Sequence, residues 1–286
     1  MDFTDLLDSL LTVLVYIAEC FVLFLIGKIV YQKIFNRKIN VKAELVERDN
    51  FAFAIAHVGY FIGLLLAIGS AIIGDSNGLV QDSIDIGVYG IMAIILLNLS
   101  ILINDKVILR RFSVYKEVIE DRNAGTGVIE AANAIGTGLI ILGSVSGEGG
   151  GIITALAFWV VGQALLILTS FVYNALVPFN VHDHIERDNV AVGLGFAGAI
   201  VAIANLIRFG LMIDFVSWQE SLLNVAVDVG IGFLFLPLAR LLTDRVLLPG
   251  QKLTDELINQ EKPNVGAGLV EAFAYVGGSV LITYCL

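Results

Sequence analysis

The sequence is short of charged residues and of cysteine, and each shortage excludes a class of protein. Charged residues fill only 15% of the 286 positions, against roughly 25% in a soluble domain. Cys20 lies inside the first apolar block and Cys285 is the penultimate residue, so neither belongs to a disulfide framework or a cysteine-based metal set. Basic residues interleaved with aromatic ones are also missing, and nucleic acid is therefore not an expected partner.

Bases are absent from the N-terminal segment as well. It carries Asp2, Asp5 and Asp8 but no Lys or Arg before the first apolar run. A cleavable signal peptide begins with a basic region. We therefore expect the first apolar segment to be retained as a helix.

The sequence is instead rich in apolar residues, which make up 57% of it and are collected into long blocks. A helix needs about 20 mostly apolar residues to cross a ~30 Å hydrocarbon core. Eight blocks have this length: 10–35, 51–74, 84–104, 124–145, 152–177, 190–213, 222–244 and 265–286. The blocks lack the short alternation of a membrane barrel. The predicted fold class is therefore an all-α integral membrane protein with eight transmembrane helices in the lipid bilayer.

Lys and Arg fall on one side of this topology. The loops 36–50, 105–123, 178–189 and 245–264 hold thirteen of them, whereas the N-terminal tail and the other loops hold none. Cytoplasmic loops carry the excess of Lys and Arg in multi-pass proteins. We therefore expect these four loops in the cytoplasm and both termini on the outer side.

Three motifs occur twice in the same order. They are Glu-Arg-Asp-Asn-x-Ala, a short segment ending the third and seventh blocks, and Asn-x-Gly-x-Gly-x-x-Glu-Ala. They begin at Glu47 and Glu186, at Asn104 and Thr243, and at Asn123 and Asn264. The copies are 139, 139 and 141 residues apart. A nearly constant offset indicates a tandem duplication.

The duplication predicts two domains, 1–148 and 149–286, each a four-helix membrane repeat. Four spans are an even number, so both copies enter and leave on the same side. The repeats are then parallel, and we expect a pseudo-two-fold axis along the membrane normal. The second, fourth, sixth and eighth spans are rich in Gly and Ala, which let membrane helices approach closely. These spans are expected in the interior, with the others facing lipid.

An asparagine precedes each of the four Gly- and Ala-rich spans on the predicted cytoplasmic side. These residues are Asn50, Asn123, Asn189 and Asn264. An asparagine side chain can accept a hydrogen bond from the free N–H groups of the first helical turn. Helix capping is therefore the interpretation that we favour for all four.

The motifs beginning at Glu47, Glu186, Asn123 and Asn264 resemble those of the YjfL-type family of bacterial inner-membrane proteins of unknown function. The resemblance covers nearly the whole chain in two copies. It implies a four-helix membrane unit, here in tandem, located in the bacterial inner membrane. It also implies an envelope-stress or polyamine context, because members of the family look like neighbours of ATP-grasp amide ligases and phage-shock-like membrane-stress proteins. It implies no activity.

Glu130 and Glu271 are the main candidates for a functional site. Each lies seven residues past its asparagine, roughly 10 Å into the helix. An ionisable group at that depth costs about 2.5–3.5 kcal/mol on insertion scales and usually faces the interior of the bundle. We expect the two carboxylates to face each other across the pseudo-two-fold axis and to handle a proton or cation. The alternative is that they only fix helix packing.

Other buried ionisable candidates are His57, Glu19 and Asp228. His57 has the same position after Asn50 that Glu130 has after its asparagine, whereas Phe196 occupies it in the sixth span. Glu19 and Asp228 have no acidic counterpart in the other copy. They would mark a single pathway or a single contact.

Two further features favour a structural explanation. Arg208 and Arg240 lie close enough to span ends for their charges to reach the interface. His182 and His184 resemble a metal site, but Ala43 and Leu45 replace them in the first copy. No metal or cofactor is therefore predicted.

Neither a nucleophile–base set nor a dinucleotide fingerprint is present, and we do not expect an enzyme. The sequence favours a channel- or transporter-like protein for protons, small cations or a cationic solute. The alternative is a scaffold or sensor whose basic loops bind cytoplasmic envelope-stress proteins. Association into a homo-oligomer is compatible with both.

Overall fold

A computed structural model provides the structure of the protein. The residues that it describes are 3–109, 113–147 and 149–286. Arg110 and Arg111, two of the predicted cytoplasmic bases, lie outside the described residues. So do Asp2 of the N-terminal segment and Glu148, the last residue of the first predicted domain.

The described residues form helices and no strand. The α-helices are α1 (Phe3–Val30), α2 (Phe51–Gly69), α3 (Leu79–Val107), α4 (Ala124–Ser146), α5 (Ile152–Leu176), α6 (Val181–Ile185), α7 (Val190–Leu211), α8 (Trp218–Leu242) and α9 (Val265–Cys285). Short π-helical turns occupy Tyr31–Phe35, Ala43–Glu47, Lys116–Glu120, Thr243–Leu247 and Asp255–Asn259. The turns Tyr31–Phe35 and Thr243–Leu247 extend α1 and α8, and the other three lie close before α2, α4 and α9.

Every α-helix except α6 is long and apolar enough to cross a membrane. The eight predicted spans are therefore confirmed. The third is longer than its apolar block 84–104, because its polar first turns are stabilised locally. Asp82 accepts hydrogen bonds from the Asn77 amide at 2.8 Å and from the Ser76 hydroxyl at 2.6 Å.

The helices α2, α4, α7 and α9 form a row in that order. The strongest packing in the molecule joins α2 to α4, α4 to α7 and α7 to α9. Small residues allow this closeness: a Cβ atom at Gly59 would overlap the backbone of Ala131, and one at Gly127 would overlap that of Ala52. The same contact returns at the other end of the row, where a Cβ at Gly268 would overlap Ala191.

The row is open, which corrects the expected pseudo-two-fold axis. Duplication relates α2 to α7 and α4 to α9. With a two-fold axis, α9 would pack against α2 in the same way as α4 packs against α7. In the described part of the chain no comparable contact joins α9 to α2. The repeats are parallel, but the second follows the first by a shift along the row.

The helices α1, α3, α5 and α8 form an outer layer with many exposed apolar side chains. The helix α5 packs against both α4 and α7 and so covers the junction between the repeats. The expected interior position applies to α2, α4 and α7. It applies less to α9, where 28% of the central span is buried against 78% for α7, because α9 ends the row and, in the described chain, packs on only one inner helix.

Candidate functional site

The four asparagines stand at the helix starts on the side of the membrane that carries the basic loops, called here the basic side. Each side-chain oxygen accepts a hydrogen bond from a backbone N–H in the first turn of its helix, at 2.9–3.2 Å. This is the geometry of an N-cap. The cap positions the glutamates, because the same helical register carries Glu130 and Glu271 seven residues further on.

Three of these asparagines are also hydrogen-bonded to a preceding glutamate that was not predicted as part of the site. Glu44, Glu117 and Glu256 each accept a hydrogen bond from the side-chain amide of the next asparagine, at 2.7–2.9 Å. Glu44 and Glu117 are buried, and Arg48 pairs with Glu44 at 2.5 Å. The signal in the sequence was a glutamate six residues before Asn50 and Asn123.

Glu130 contacts Asp105 of α3, a residue that the sequence analysis did not select for the site. The two carboxyl groups lie within hydrogen-bonding distance of each other. Each also has one oxygen that is fully buried and has no hydrogen-bond partner among the described residues. Two carboxyl groups in this position repel each other unless a proton or a cation lies between them.

A cavity of about 270 Å³ adjoins this carboxyl pair. Glu130 and Asp105 line its inner end, and the exposed residues Arg37, Lys38 and Tyr115 line its mouth. The cavity therefore opens on the basic side, and Glu130 is half-buried because part of its side chain faces it. A solute can reach the two carboxyl groups from this side.

Glu271 has entirely different surroundings. It is fully buried and forms an ion pair with Arg240 of α8, whose side chain is 12% exposed. The hydroxyl groups of Tyr275 and Tyr173 donate to the same carboxylate oxygen, at 3.0 and 3.4 Å. Gly195 leaves room for the carboxylate, because a Cβ there would overlap it. Arg240 therefore serves as an internal cation, which corrects its expected position at the membrane interface.

The two repeats thus differ at one decisive position. Arg240 corresponds to Ile101 at the 139-residue offset, and Ile101 lines the cavity beside Glu130. The first repeat has a carboxyl pair and an open space where the second repeat has a carboxylate and a guanidinium group. The expected facing pair is also absent, because α7 lies between α4 and α9 and the two glutamates bind different partners.

The other ionisable candidates lie apart from one another. His57 is buried in an aromatic cluster, with ring centroids 4.5 Å from Phe61 and 5.1 Å from Phe53. Its Nδ1 atom has no partner among the described residues. Glu19 is half-buried in α1 with one buried, unpartnered oxygen. Asp228 is buried where α8 packs on Gly210 of α7.

The two loop histidines have structural surroundings. The Nε2 atom of His182 lies 2.7 Å from the carbonyl oxygen of Ile108. His184 packs against Phe179, and burial, followed by the charge of Arg187, lowers its pKa. Among the described residues, no group of three His, Cys, Asp or Glu side chains could hold a metal ion.

A line of buried polar side chains continues from the carboxyl pair into the first repeat. Asn98 lies seven residues before Asp105 on α3, and Asn133 and Thr137 lie three and seven residues after Glu130 on α4. All three are buried. Both polar atoms of the Asn133 side chain lack partners among the described residues. The line extends roughly 10 Å from the carboxyl pair along each helix.

A second cavity lies on the opposite side of the membrane. Its volume is about 510 Å³, and Asp75, Asp82 and Asp85 are among its lining residues. Between it and the polar line, the fully buried side chains of Leu97 and Ile141 occupy α3 and α4. In this structure the two cavities are therefore separated by an apolar layer.

Comparison with known proteins agrees with this two-copy architecture. The family model for the Domain of Unknown Function (DUF350) matches residues 5–145 and matches again over 149–286. The chain belongs to the DUF350 family. The tandem arrangement predicted from the repeated motifs is confirmed, because the family match occurs twice. The expected YjfL-type resemblance is confirmed with it.

A similar relative of this DUF350 protein is a UPF0719 transmembrane protein from Aquifex aeolicus (strain VF5). The two are 23% identical over 187 residues, which cover 64% of this chain and 67% of the relative. No solved structure matches the chain. The protein is therefore a multi-pass transmembrane protein of a family whose function is unknown.

Proposed function

We propose that the protein moves a proton or small cation across the membrane without catalysing a reaction, and that Glu130 and Asp105 bind the ion. One observation carries this proposal. The two carboxyl groups lie close together and line the same open cavity, whereas the equivalent Glu271 is neutralised by Arg240. An ionisable group inside a membrane requires such compensation, and in the first repeat no base among the described residues pairs with these carboxyl groups.

The proposal includes an orientation. We propose that the basic side faces the cytoplasm of a bacterial inner membrane, with both termini in the periplasm. The support is the distribution of Lys and Arg, which follows the positive-inside rule. The cavity at Glu130 is then the cytoplasmic entrance. The acidic cavity at Asp75, Asp82 and Asp85 is the periplasmic one.

The polar line through Asn98, Asn133 and Thr137 supports passage rather than binding alone. The side-chain oxygen of Asn98 and both polar atoms of Asn133 lack partners among the described residues. Such groups are costly in a membrane helix, so packing does not explain them. Water in the line would satisfy them and would carry a proton. The apolar layer at Leu97 and Ile141 must open in such a cycle, as expected for alternating access.

Flux into proteoliposomes tests the proposal. Purified protein should carry H⁺, Na⁺, K⁺ or a small amine down a gradient, and Glu130→Gln should abolish the flux. The most specific variant is Ile101→Arg, which places in the first repeat the residue that neutralises Glu271 in the second. It should occupy the site and stop the flux while thermal stability stays at the level of the parent. Glu220→Gln, an exposed change away from both cavities, is the matched control.

The outcome that would contradict the proposal is equally definite. A Glu130→Gln/Asp105→Asn double variant that retains full flux would remove the site from the pathway. Absence of flux for every ion in the folded parent protein would favour the alternative function, a scaffold whose basic loops bind cytoplasmic proteins. Pull-down with charge-reversed loops would then be the next experiment.

A further inference from the structure

One contact is repeated along the row of inner helices. In the first three asparagines, the side-chain amide donates to a backbone carbonyl in the segment before the next inner helix. The three bonds are Asn50 to Val118 at 2.9 Å, Asn123 to Ile185 at 2.6 Å and Asn189 to Leu257 at 2.8 Å. The middle bond crosses from the first repeat to the second. The junction between the repeats is therefore built like the contacts inside them.

The last asparagine has no such bond. Asn264 is exposed, and its side-chain amide reaches only Glu256 of its own segment. At the other end of the row, the unused counterpart is the carbonyl of Leu45. It follows Glu44, whose carbonyl accepts from the backbone N–H of Asn50, just as Val118 follows Glu117. Within the described chain, the asparagine amide at the end of the row and the backbone carbonyl at its beginning therefore make no such bond between helices.

A second contact at the repeat junction also has equivalent groups at the two ends of the row. The carboxylate of Asp188 accepts from the first N–H groups of α4, at 2.8 Å from Ala124 and 3.3 Å from Gly125. A carboxylate is stabilised there by the helix dipole. Asp49 is equivalent to Asp188 and has the same left-handed backbone, with φ of 49° against 56°. It is exposed.

The N-terminus of α9 is the matching site for Asp49. Its first residues, Val265 and Gly266, are exposed. They correspond to Ala124 and Gly125, which Asp188 caps. A Cβ at Gly125 would contact the backbone of Asn189 on the next helix, whereas one at Gly266 would meet only Asn264 of its own helix.

The outward face of α9 is exposed where the equivalent face of α4 is buried. On α4, Ala132 is 3% exposed and Ile140 is fully buried. Their counterparts on α9 are Phe273 and Leu281, which are 68% and 65% exposed. An apolar groove of about 770 Å³ between α8 and α9 runs beside them. In the first repeat, the corresponding groove between α3 and α4 is occupied by α5, where Gly162 packs on Ile140.

We propose that a second copy of this chain docks head to tail on the first. In this contact Asn264 donates to the Leu45 carbonyl of the other copy. The Asp49 carboxylate of that copy caps the N-terminus of α9, and its α1 lies in the groove between α8 and α9. The contact is heterologous because it joins two different surfaces. An assembly of several copies therefore has an uncovered α9 at one end and an uncovered α2 at the other, unless it closes into a ring. It continues the row across molecules by the junction that already joins the two repeats.

Disulfide cross-linking in native membranes tests this contact. Gly125 and Gly193 lie against each other at the repeat junction. Their equivalents at the two ends of the row are Gly266 and Ala54. We would introduce Gly266→Cys and Ala54→Cys in a background without Cys20 and Cys285. Oxidation of the double-cysteine protein should give a ladder of dimers, trimers and larger products. Each single-cysteine protein should stay monomeric, because a head-to-tail contact brings unlike positions together.

A charge reversal provides the second arm. Asp49→Arg should lower the cross-linked fraction about fivefold or more, since a base replaces the acid at the dipole of α9. The variant should fold, because Arg122 occupies the equivalent position before Asn123 with φ of 56°. Glu120→Arg makes the same charge change at an exposed site on the same side and should leave the ladder intact. Monomers under all oxidising conditions, or dimers from one single-cysteine protein alone, would overturn the proposal.

Discussion

Replacing the two equivalent glutamates by glutamine should affect stability very differently. Glu271→Gln removes the fully buried partner of an ion pair and leaves Arg240, which is only 12% exposed, without its counter-charge. Breaking a buried pair in this way costs about 3–5 kcal/mol. Thr254 still accepts from the guanidinium at 3.0 Å, but a neutral hydroxyl does not compensate the charge.

Glu130→Gln has no such penalty, because no base of the described chain pairs with this carboxyl group. Two unit charges ~4 Å apart at an effective dielectric constant of ~20 repel by roughly 4 kcal/mol. A shared proton relieves part of this, and the glutamine amide can donate to Asp105. We therefore expect the free energy of unfolding to change by less than about 1 kcal/mol or to rise.

Thermal unfolding in mild detergent measures both changes. A shift of about 2–4 °C per kcal/mol predicts a Tm lower by on the order of 10 °C for Glu271→Gln and nearly unchanged for Glu130→Gln. Adding Arg240→Ile, the residue found at the equivalent position in the first repeat, should restore part of the loss in the double variant. Equal destabilisation by the two single variants would refute the distinction between an internally neutralised and an open site.

Two further predictions concern topology and packing. A single cysteine at Val216 in a cysteine-free background should react with an impermeant maleimide from outside the cell, and one at Tyr115 should not; labelling in the opposite pattern would reverse the orientation. Gly127→Leu should destabilise the fold by about 1–3 kcal/mol or more, because even a Cβ atom added there would overlap the backbone of Ala52. Ala18→Leu on the exposed face of α1 should be mild. Similar Tm values for these two variants would show that the row is not the tightly packed part.

The number of spans, the duplication and the four capping asparagines could be predicted because each depends on local sequence. Apolar length sets the spans, and an asparagine before a helix acts within three residues. The arrangement of the row could not be predicted in this way. A parallel duplication is compatible with a closed pair or with an open row. They are distinguished by packing between α9 and α2, which in the described chain is not comparable to that between α4 and α7.

The partners of Glu130 and Glu271 were missed for a related reason. Asp105 and Arg240 lie near the ends of their helices, where charged residues ordinarily reach the interface. Their inward direction depends on how α3 and α8 pack on α4 and α9. The repeat alignment did contain a signal, since Arg240 stands opposite Ile101. A charge present in only one copy indicates where two copies have diverged in chemistry.

The backbone contacts between inner helices also limit how the molecule can move. Turning α4 by one residue rotates it by about 100° and would bring Val128 instead of Gly127 against the backbone of Ala52. Such an interface admits no gradual rotation, because packed cores resist continuous deformation. The four inner helices should therefore move as one rigid body. Any working cycle must displace the outer helices past this body, and α3, which carries Asp105, is the outer helix whose movement would separate the two carboxyl groups.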